Sequence, residues 1–328
     1  MMRPSLALAL RLTATSLAVC LVLAAAPAPA GPPAPSSQPV RLAYLQNDLH
    51  HLALWIALDK GFFAEEGLAV EVAGIFRSGP ELMTAFGAGE LDAAYVGEAP
   101  ATIAAARGTA RIKVLAQANT EGSALVGSKA LAEGKIARPT LAIPGHGGVQ
   151  ELLLQKALPK LGLAADGVEI VVVSPPEMLP ALQSGQIDGF IAWEPYPSRA
   201  VLQGFGTTIA DSTAIWAGHP CCVLAAADAL IDKRPAVARS LVRAHSRATR
   251  YIAEHPEEAV AVAVKYTGMN EEVARRALGH VAYVETPSLA GEEEYVRFLD
   301  ARGVIKVEDA PAFTRGFIDL PTREAATR

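Results

Sequence analysis

The chain has 328 residues, 29 Lys+Arg against 34 Asp+Glu for a formal charge of −5, 51% hydrophobic residues and three Cys. That length is about twice a typical domain, the apolar content argues against a disordered chain, and so few Cys argue against a disulfide-built miniprotein. Mild acidity without a Lys/Arg cluster argues against nucleic-acid recognition, which needs a concentrated basic face, and leaves small molecules or proteins as partners.

In chain order, Arg3 and Arg11 precede an uncharged apolar run over 12–26, and Ala28-Pro29-Ala30 supplies small residues before Gly31. This pattern predicts a secretory signal peptide over 1–30, the run being short for a membrane span, and hence a periplasmic protein. Residues 1–30 hold two Arg and no acid, so cleavage leaves 298 residues of charge −7. Lipidation at Cys20 is the weaker alternative, because Val19 is a poor residue before a lipobox cysteine and apolar sequence continues after it; an uncleaved anchor is the other. Residues 31–39 are Pro/Ser-rich with nothing to bury and read as a flexible tether.

From Val40 on, β-rich runs at 40–45, 69–75, 92–96, 112–118, 140–143, 168–173, 189–192 and 207–210 alternate with helical stretches. The runs are continuous in polarity, as strands covered on both faces are, so the pattern predicts an α/β protein with parallel sheets. An internal repeat divides it. Pro80-Glu81-Leu82-Met83, Gly89-Glu90-Leu91-Asp92 and Tyr95-Val96-Gly97-Glu98 recur, 96 residues later and without a gap, as Pro176-Glu177-Met178-Leu179, Gly185-Gln186-Ile187-Asp188 and Ile191-Ala192-Trp193-Glu194. Each copy reads as a helix opened by Pro-Glu, a Gly turn, a strand entered through Asp, and a Glu at the strand's exit. Two similar lobes, 40–120 and 126–208, are expected. After Trp216 helical patterns dominate, at 235–255, 257–266, 270–280, 292–301 and 310–318. The first places Val237, Leu241, Ala244, Ala248 and Ile252 on one face, with Arg239, Arg243 and Arg247 read as a solvated face; this tail is expected to pack back on the first lobe.

Asp59-Lys60-Gly61-Phe62-Phe63 followed by Glu66-Gly67-Leu68 and Val70 resembles the early signature of periplasmic solute-binding proteins of the nitrate/sulfonate/taurine class, which also contains thiamine-pyrimidine-precursor binders. Gly89-Glu90-Leu91-Asp92, Gly185-Gln186-Ile187-Asp188, Trp193-Glu194-Pro195-Tyr196 and His255-Pro256-Glu257 fit the same class, and the resemblance runs from 40 to roughly 300. It implies a type II periplasmic-binding-protein fold: two doubly wound α/β lobes, a first lobe at 40–120, a second at 121–212, and a return with C-terminal helices at 213–328. The chain would cross between lobes near 117–123 and 211–216. The implied function is to deliver a ligand to an ABC transporter permease, as a monomer that meets the membrane only through that permease.

Ligands of open α/β sheets bind beyond the carboxyl ends of the strands. That selects loops 46–51, 76–79, 97–100, 144–148, 174–176 and 193–196, with Asn119, Glu121 and the segment 219–222 near the same cleft if the implied fold holds. The ligand-binding candidates are Asn47, His50, His51, Phe76, Arg77, Glu98, Asn119, Glu121, His146, Trp193, Glu194, Tyr196, His219 and Cys222. Glu98 and Glu194 stand at equivalent positions of the repeat; each is either a ligand contact or a cap. Trp193, Tyr196 and Phe76 offer an aromatic platform, whereas Trp55 beside Leu54 and Ile56 reads first as core. The Gly145-His146-Gly147-Gly148 loop opens a helix but matches neither phosphate-loop nor dinucleotide spacing.

Adjacent Cys221 and Cys222 in an oxidising compartment suggest buried thiols, a vicinal disulfide or metal ligands, with His50, His51, His146 and His219 as further donors for Cu or Zn. No cofactor is required by this reading. The site loops offer one cation, Arg77, against Glu98, Glu121 and Glu194, so a neutral or cationic heteroaromatic or amine is favoured over a bare oxyanion. The leading function is a binding protein without chemistry; a metal or metal-chelate binder of the same fold is one alternative, a thiamine-pyrimidine-synthase-like enzyme the other. Export speaks against the enzyme, as does the lack of a nucleophile elbow or a site-loop Lys.

Overall fold

The computed structural model describes residues 38–327, so the expected signal peptide and the tether as far as residue 37 lie outside the described residues. Eleven strands order the rest: β1 (Val40–Leu45), β2 (Val70–Phe76), β3 (Ala93–Gly97), β4 (Ile112–Glu121), β5 (Ser123–Gly127), β6 (Thr140–Ile143), β7 (Glu169–Val172), β8 (Gly189–Trp193), β9 (Thr207–Asp211), β10 (Pro220–Ala227) and β11 (Val281–Tyr283). They form two sheets, in the orders β11-β4-β10-β3-β1-β2 and β7-β6-β8-β5-β9. Each sheet with its helices is one lobe.

The expected all-parallel sheets are corrected to mixed ones. β1, β2 and β3 are parallel, as are β6, β7 and β8, but β10 runs against β3 and β4, and β5 runs against β8 and β9. The cause is the crossing itself: β4 passes into β5 through Gly122 alone, so each lobe receives a strand that arrives from the other side. The sequence pattern does not foretell β5, β10 and β11. Cys221 to Ala226 are all buried, and such an uninterrupted apolar run carries no period to tell strand from helix.

The repeat is realised atom by atom. Arg41 N–H donates to Asp92 Oδ2 at 2.9 Å and Thr140 N–H to Asp188 Oδ2 at 2.8 Å. In return the Asp92 and Asp188 N–H groups donate to the Arg41 and Thr140 carbonyls, each at 2.8 Å. The two Asp residues thus lock the central strand of each lobe to its neighbour, which explains why both copies enter the strand through Asp. Helix Gly79–Gly87 is capped by Ser78, and its counterpart Pro175–Ser184 ends at left-handed Gly185.

The helical tail is as expected, with Pro235–Glu254, Pro256–Thr267, Glu271–Leu278, Leu289–Ala301 and Ala310–Phe317, and a further helix at Leu320–Thr327. Leu241, Ala244 and Ala248 are fully buried in the core of the first lobe. The Arg face is corrected in part: Arg243 Nε meets Glu66 at 2.6 Å, and Arg247 pairs with Glu65 and lies 4.1 Å over the Phe62 ring. Trp55 is fully buried and stacks on Tyr266 at 5.6 Å, as core rather than platform. Among the described residues no helix is long and apolar enough to cross a membrane.

Candidate functional site

The lobes meet face to face. A Cβ added to Gly97 would lie 3.0 Å from Val149 of the other lobe, and one added to Gly147 would lie 3.2 Å from Ile103. Between them the carboxyl ends of the parallel strands converge on a cavity of ≈ 20 Å³, room for about one water molecule. Leu45 ends β1 and Asp48 follows it, Ser78 and Gly79 follow β2, Gly97 ends β3, Gly145 and Gly148 to Gln150 follow β6, Trp193 ends β8, and Cys222 lies on β10. Among the described residues no Lys or Arg lines it. Trp193 Nε1 is buried without a partner, and Asp48 is 1% exposed.

Behind the Asp48 wall sits a buried His/Cys group. Asp48 caps the short helix Leu49–His51, its Oδ1 accepting from His50 N–H at 3.0 Å. That turn drives both imidazoles into the lobe, where they are fully buried. His50 Nδ1 lies 3.4 Å from Cys221 Sγ, 3.6 Å from Cys222 Sγ and 3.4 Å from Asp48 Oδ1. Neighbouring strand residues ordinarily face opposite sides; the register of β10 against β4 slips on both sides of Cys222, and the bulge turns both sulfurs to one imidazole. Both Cys are free thiols, which rules out the vicinal disulfide in this structure.

His50 Nε2 lies 2.8 Å from the Gly122 carbonyl in the first crossover. Gly122 has φ +85°, and a Cβ there would lie 2.3 Å from that nitrogen, so the position needs glycine twice over. A carbonyl only accepts, so Nε2 carries a proton and donates. His51 is oriented the other way: its Nδ1 accepts from Leu45 N–H at 3.2 Å, and Nε2 points to Asp48 Oδ2 at 3.6 Å.

Charge in this group is set by burial and by the neighbours. Burial opposes an imidazolium at His50, but Cys221 and Asp48 outweigh it and raise the group to about 10. Burial likewise opposes a thiolate at Cys221, and the Cys222 thiol, His50 and His219 overcome it and hold Cys221 well below the usual thiol range. Cys222 goes up through burial and its anionic neighbours. Asp48 is raised to about 7 by burial, and burial with the His50 charge keeps His51 neutral. The neighbours thus push His50 and Cys221 toward their charged forms and Cys222 and His51 toward their neutral ones.

Several expected site residues are placed elsewhere. Arg77 is exposed, its N–H bonded to Glu81 Oε2, and is absent from the cavity wall. His146 is exposed, held at 2.8 Å by Glu151 on an adjoining groove of ≈ 840 Å³ that shares Pro80, Pro100 and Gly148 with the cavity, and so is corrected out of the His/Cys group. Phe76 is half-buried against the core, and Asn47 lies beside Tyr196. Tyr196 packs edge-on against Trp193 at 6.1 Å. Asn119 stitches β4 to β10, its Oδ1 accepting from Cys222 N–H at 3.1 Å. Glu121 joins the two crossovers, accepting from Ser212 Oγ at 3.0 Å and from Gly218 N–H. His219 lies 3.6 Å from Glu121, and through Cys221 and Glu121 it rises to about 9 against the cost of its burial.

Glu98 and Glu194 do not face each other. Glu98 is fully buried, accepts from Gln117 Nε2 at 3.0 Å and adjoins Glu292, with Thr102 Oγ1 donating to Glu292 Oε1 at 2.8 Å. Burial raises Glu98 to about 7 and Glu292 well above the ordinary range, so the two carboxyls share a proton. Glu194 accepts from Ser198 N–H at 3.1 Å and Oγ at 2.9 Å, and borders a ≈ 300 Å³ hollow with Glu121, Asp211 and Arg276. Asp48, Gln117, Gln150 and Glu292 are the polar residues that sequence reasoning passed over. Asp48 carried a signal, lying in a selected loop; Glu292 carried none.

Two lobes joined by two crossovers around a closed cleft are the fold of periplasmic binding proteins, and the comparisons agree on that fold. The chain belongs to the NMT1-like family, whose model matches residues 33–266. The periplasmic nitrate-binding protein NrtA of Synechocystis PCC 6803 superposes with a TM-score of 0.80 at 18% identity, covering 90% of this chain and 89% of that one. The ligand-binding component of an ABC-type import system from Staphylococcus aureus, with zinc bound, gives 0.79 at 20% identity over 88% and 99%. A nitrate import ATP-binding protein NrtC of Synechococcus elongatus is 34% identical over 231 residues, which is 64% of this chain but 35% of that protein's length.

Proposed function

We propose that the protein is the extracytoplasmic solute-binding component of an ABC importer, without chemistry of its own, and that it holds its ligand in the cavity between the lobes. The observation that carries this is the convergence of the parallel strands of both sheets on one enclosed space with crossovers behind it. Closure about those crossovers would present the liganded form to the permease. Nitrate-import and ABC-import proteins among its relatives support the same role.

The ligand is small and neutral or cationic. Asp48 is the one charged residue in the lining, and an oxyanion would be desolvated beside it with no Lys or Arg to answer it. The closed cavity suits an ammonium-sized group; a heteroaromatic would need the lobes further apart. A metal or a metal chelate is the second reading, favoured by the His50, Cys221 and Cys222 group behind the same wall. The test is calorimetry of the exported chain with nitrate, alkanesulfonates, small amines and pyrimidines, alongside scattering for lobe closure. Tight nitrate or sulfonate binding would overturn the ligand class; closure by an amine, lost in Asp48→Asn, supports it.

A further inference from the structure

The His/Cys group has the geometry of a metal site, and it deepens the reading of the cleft as the ligand site. A tetrahedral ion with metal–sulfur bonds of about 2.3 Å and metal–nitrogen bonds of about 2.0 Å holds S and N about 3.6 Å apart. The two sulfurs stand 3.4 and 3.6 Å from His50 Nδ1. We propose that His50 Nδ1, Cys221 Sγ and Cys222 Sγ bind a thiophilic d¹⁰ cation, Zn(II) or Cu(I), in the first-lobe wall of the cleft.

Four independent features converge on that assignment. All three ligand atoms lie within 4.8 Å of one another, and Asp48, His51 and Cys222 form a second such set that shares Cys222. The β10 bulge is what brings both sulfurs to one side, a distortion that packing of two apolar thiols does not require. The Gly122 carbonyl accepts the hydrogen bond of Nε2–H, which leaves Nδ1 as the nitrogen able to give a lone pair to an ion; ligating imidazoles are held by such outer partners. Cys222 and Asp48 both line the cavity, so an ion has a path in when the lobes part.

Donor chemistry selects the ion. Two thiolates and an imidazole favour Zn(II) or Cu(I) over Mg(II) or Ca(II). Cu(I) is satisfied by the three; Zn(II) takes a fourth donor, and Asp48 Oδ1 lies 3.4 Å from His50 Nδ1, about the N···O edge of a tetrahedral zinc site. The ion takes the place of whatever protons His50 Nδ1 and the two sulfurs carry, and those protons leave to solvent. No electron is transferred. His50 also touches the crossover at Gly122, so an ion held here sits against the hinge.

The exported chain, reduced and kept anaerobic, is titrated with Co(II) as a spectroscopic probe, then with Zn(II) and with Cu(I) against a chromophoric competitor. Expected are one equivalent of ion, thiolate-to-cobalt charge transfer, and loss of affinity in Cys221→Ser, Cys222→Ser and His50→Gln beyond the about 100-fold that an outer-shell change can cost. His146→Ala should bind as the parent does. An octahedral, thiolate-free cobalt spectrum, or unchanged affinity in both Cys variants, overturns the site, as does a Cys221–Cys222 disulfide in protein taken from the periplasm. Should a variant fail to fold, X-ray absorption of the zinc-loaded parent decides: a shell of two sulfurs supports the site, and a shell of oxygen and nitrogen alone rejects it. A protein that binds none of the three ions while an amine still closes its lobes would sink this proposal and leave the importer reading standing. Metal bound at full affinity by a protein that no permease responds to would do the reverse.

Discussion

Glu98 and Glu194 occupy one position of a 96-residue repeat, at the exit of the central strand of each lobe, and the fold uses them differently. Glu98 turns inward to Gln117 and shares a proton with Glu292, which arrives on the tail helix Leu289–Ala301. Glu194 bends back on its own helix, Tyr196–Leu202, and satisfies Ser198. The backbone of the repeat is thus symmetric, and the chemistry of its exit residue is decided by what packs against it. The tail reaches both residues but brings a carboxyl, Glu292, only to Glu98 and a cation, Arg276, to the hollow beside Glu194, so only Glu98 becomes half of a buried carboxyl pair.

The largest expected effect breaks that pair. Glu98→Ala removes one of three acceptors from Gln117 Nε2, leaves Glu292 with Thr102 but without its carboxyl partner, and opens a cavity in the core, and should cost about 3 kcal/mol in urea unfolding at pH 5. A loss below about 1 kcal/mol would mean the two glutamates are equivalent after all. Glu98→Gln separates charge from shape. Because burial raises Glu98 to about 7 from an ordinary 4.5, its stabilising neutral form is complete below pH 4.5 and is lost as pH rises through about 7. Glu98→Gln should therefore match the parent at pH 4.5 and exceed it at pH 8 by a few kcal/mol, since each tenfold change in proton affinity between the folded and unfolded chain is worth about 1.4 kcal/mol. Equal pH profiles would remove the shared-proton assignment.

Glu194→Ala comes next, at about 1 kcal/mol, the usual cost of losing a helix-end acceptor. It should leave the first lobe's protection from hydrogen exchange untouched, and a loss as large as that of Glu98→Ala would erase the contrast. The smallest effect sharpens the symmetry. Asp92→Asn and Asp188→Asn break the same strand lock, and Asp92 adds an ion pair to Arg41 whose side chain is 42% exposed. The two should differ by less than about 1 kcal/mol in unfolding free energy; a larger gap would give that surface pair a weight such pairs rarely carry.

Much of the architecture was legible. The positions of eight strands followed from short apolar runs, the lobes from the repeat, and the tail helices from three- and four-residue spacing. The mixed sheets were not, because strand direction depends on where the chain crosses, and a crossover of one glycine leaves no composition signal. Among the loop residues that the sequence offered, the structure places Trp193 and Cys222 in the cavity wall and His50 and His51 behind it. Loop position overreached at Arg77 and His146, since a loop at the right end of a strand can still turn its side chain to solvent.

The sequence by itself determined the two-lobed α/β plan, the family, and the presence of imidazoles and paired thiols, because these rest on local period, repeat spacing and residue identity. Tertiary structure decided which of them meet. Cys221 and Cys222 share one imidazole only because β10 bulges against β4, and His50 is held only because Gly122, 72 residues further on, has no side chain. Such meetings depend on strand register and on close approach between distant segments, and neither has a signature along the chain.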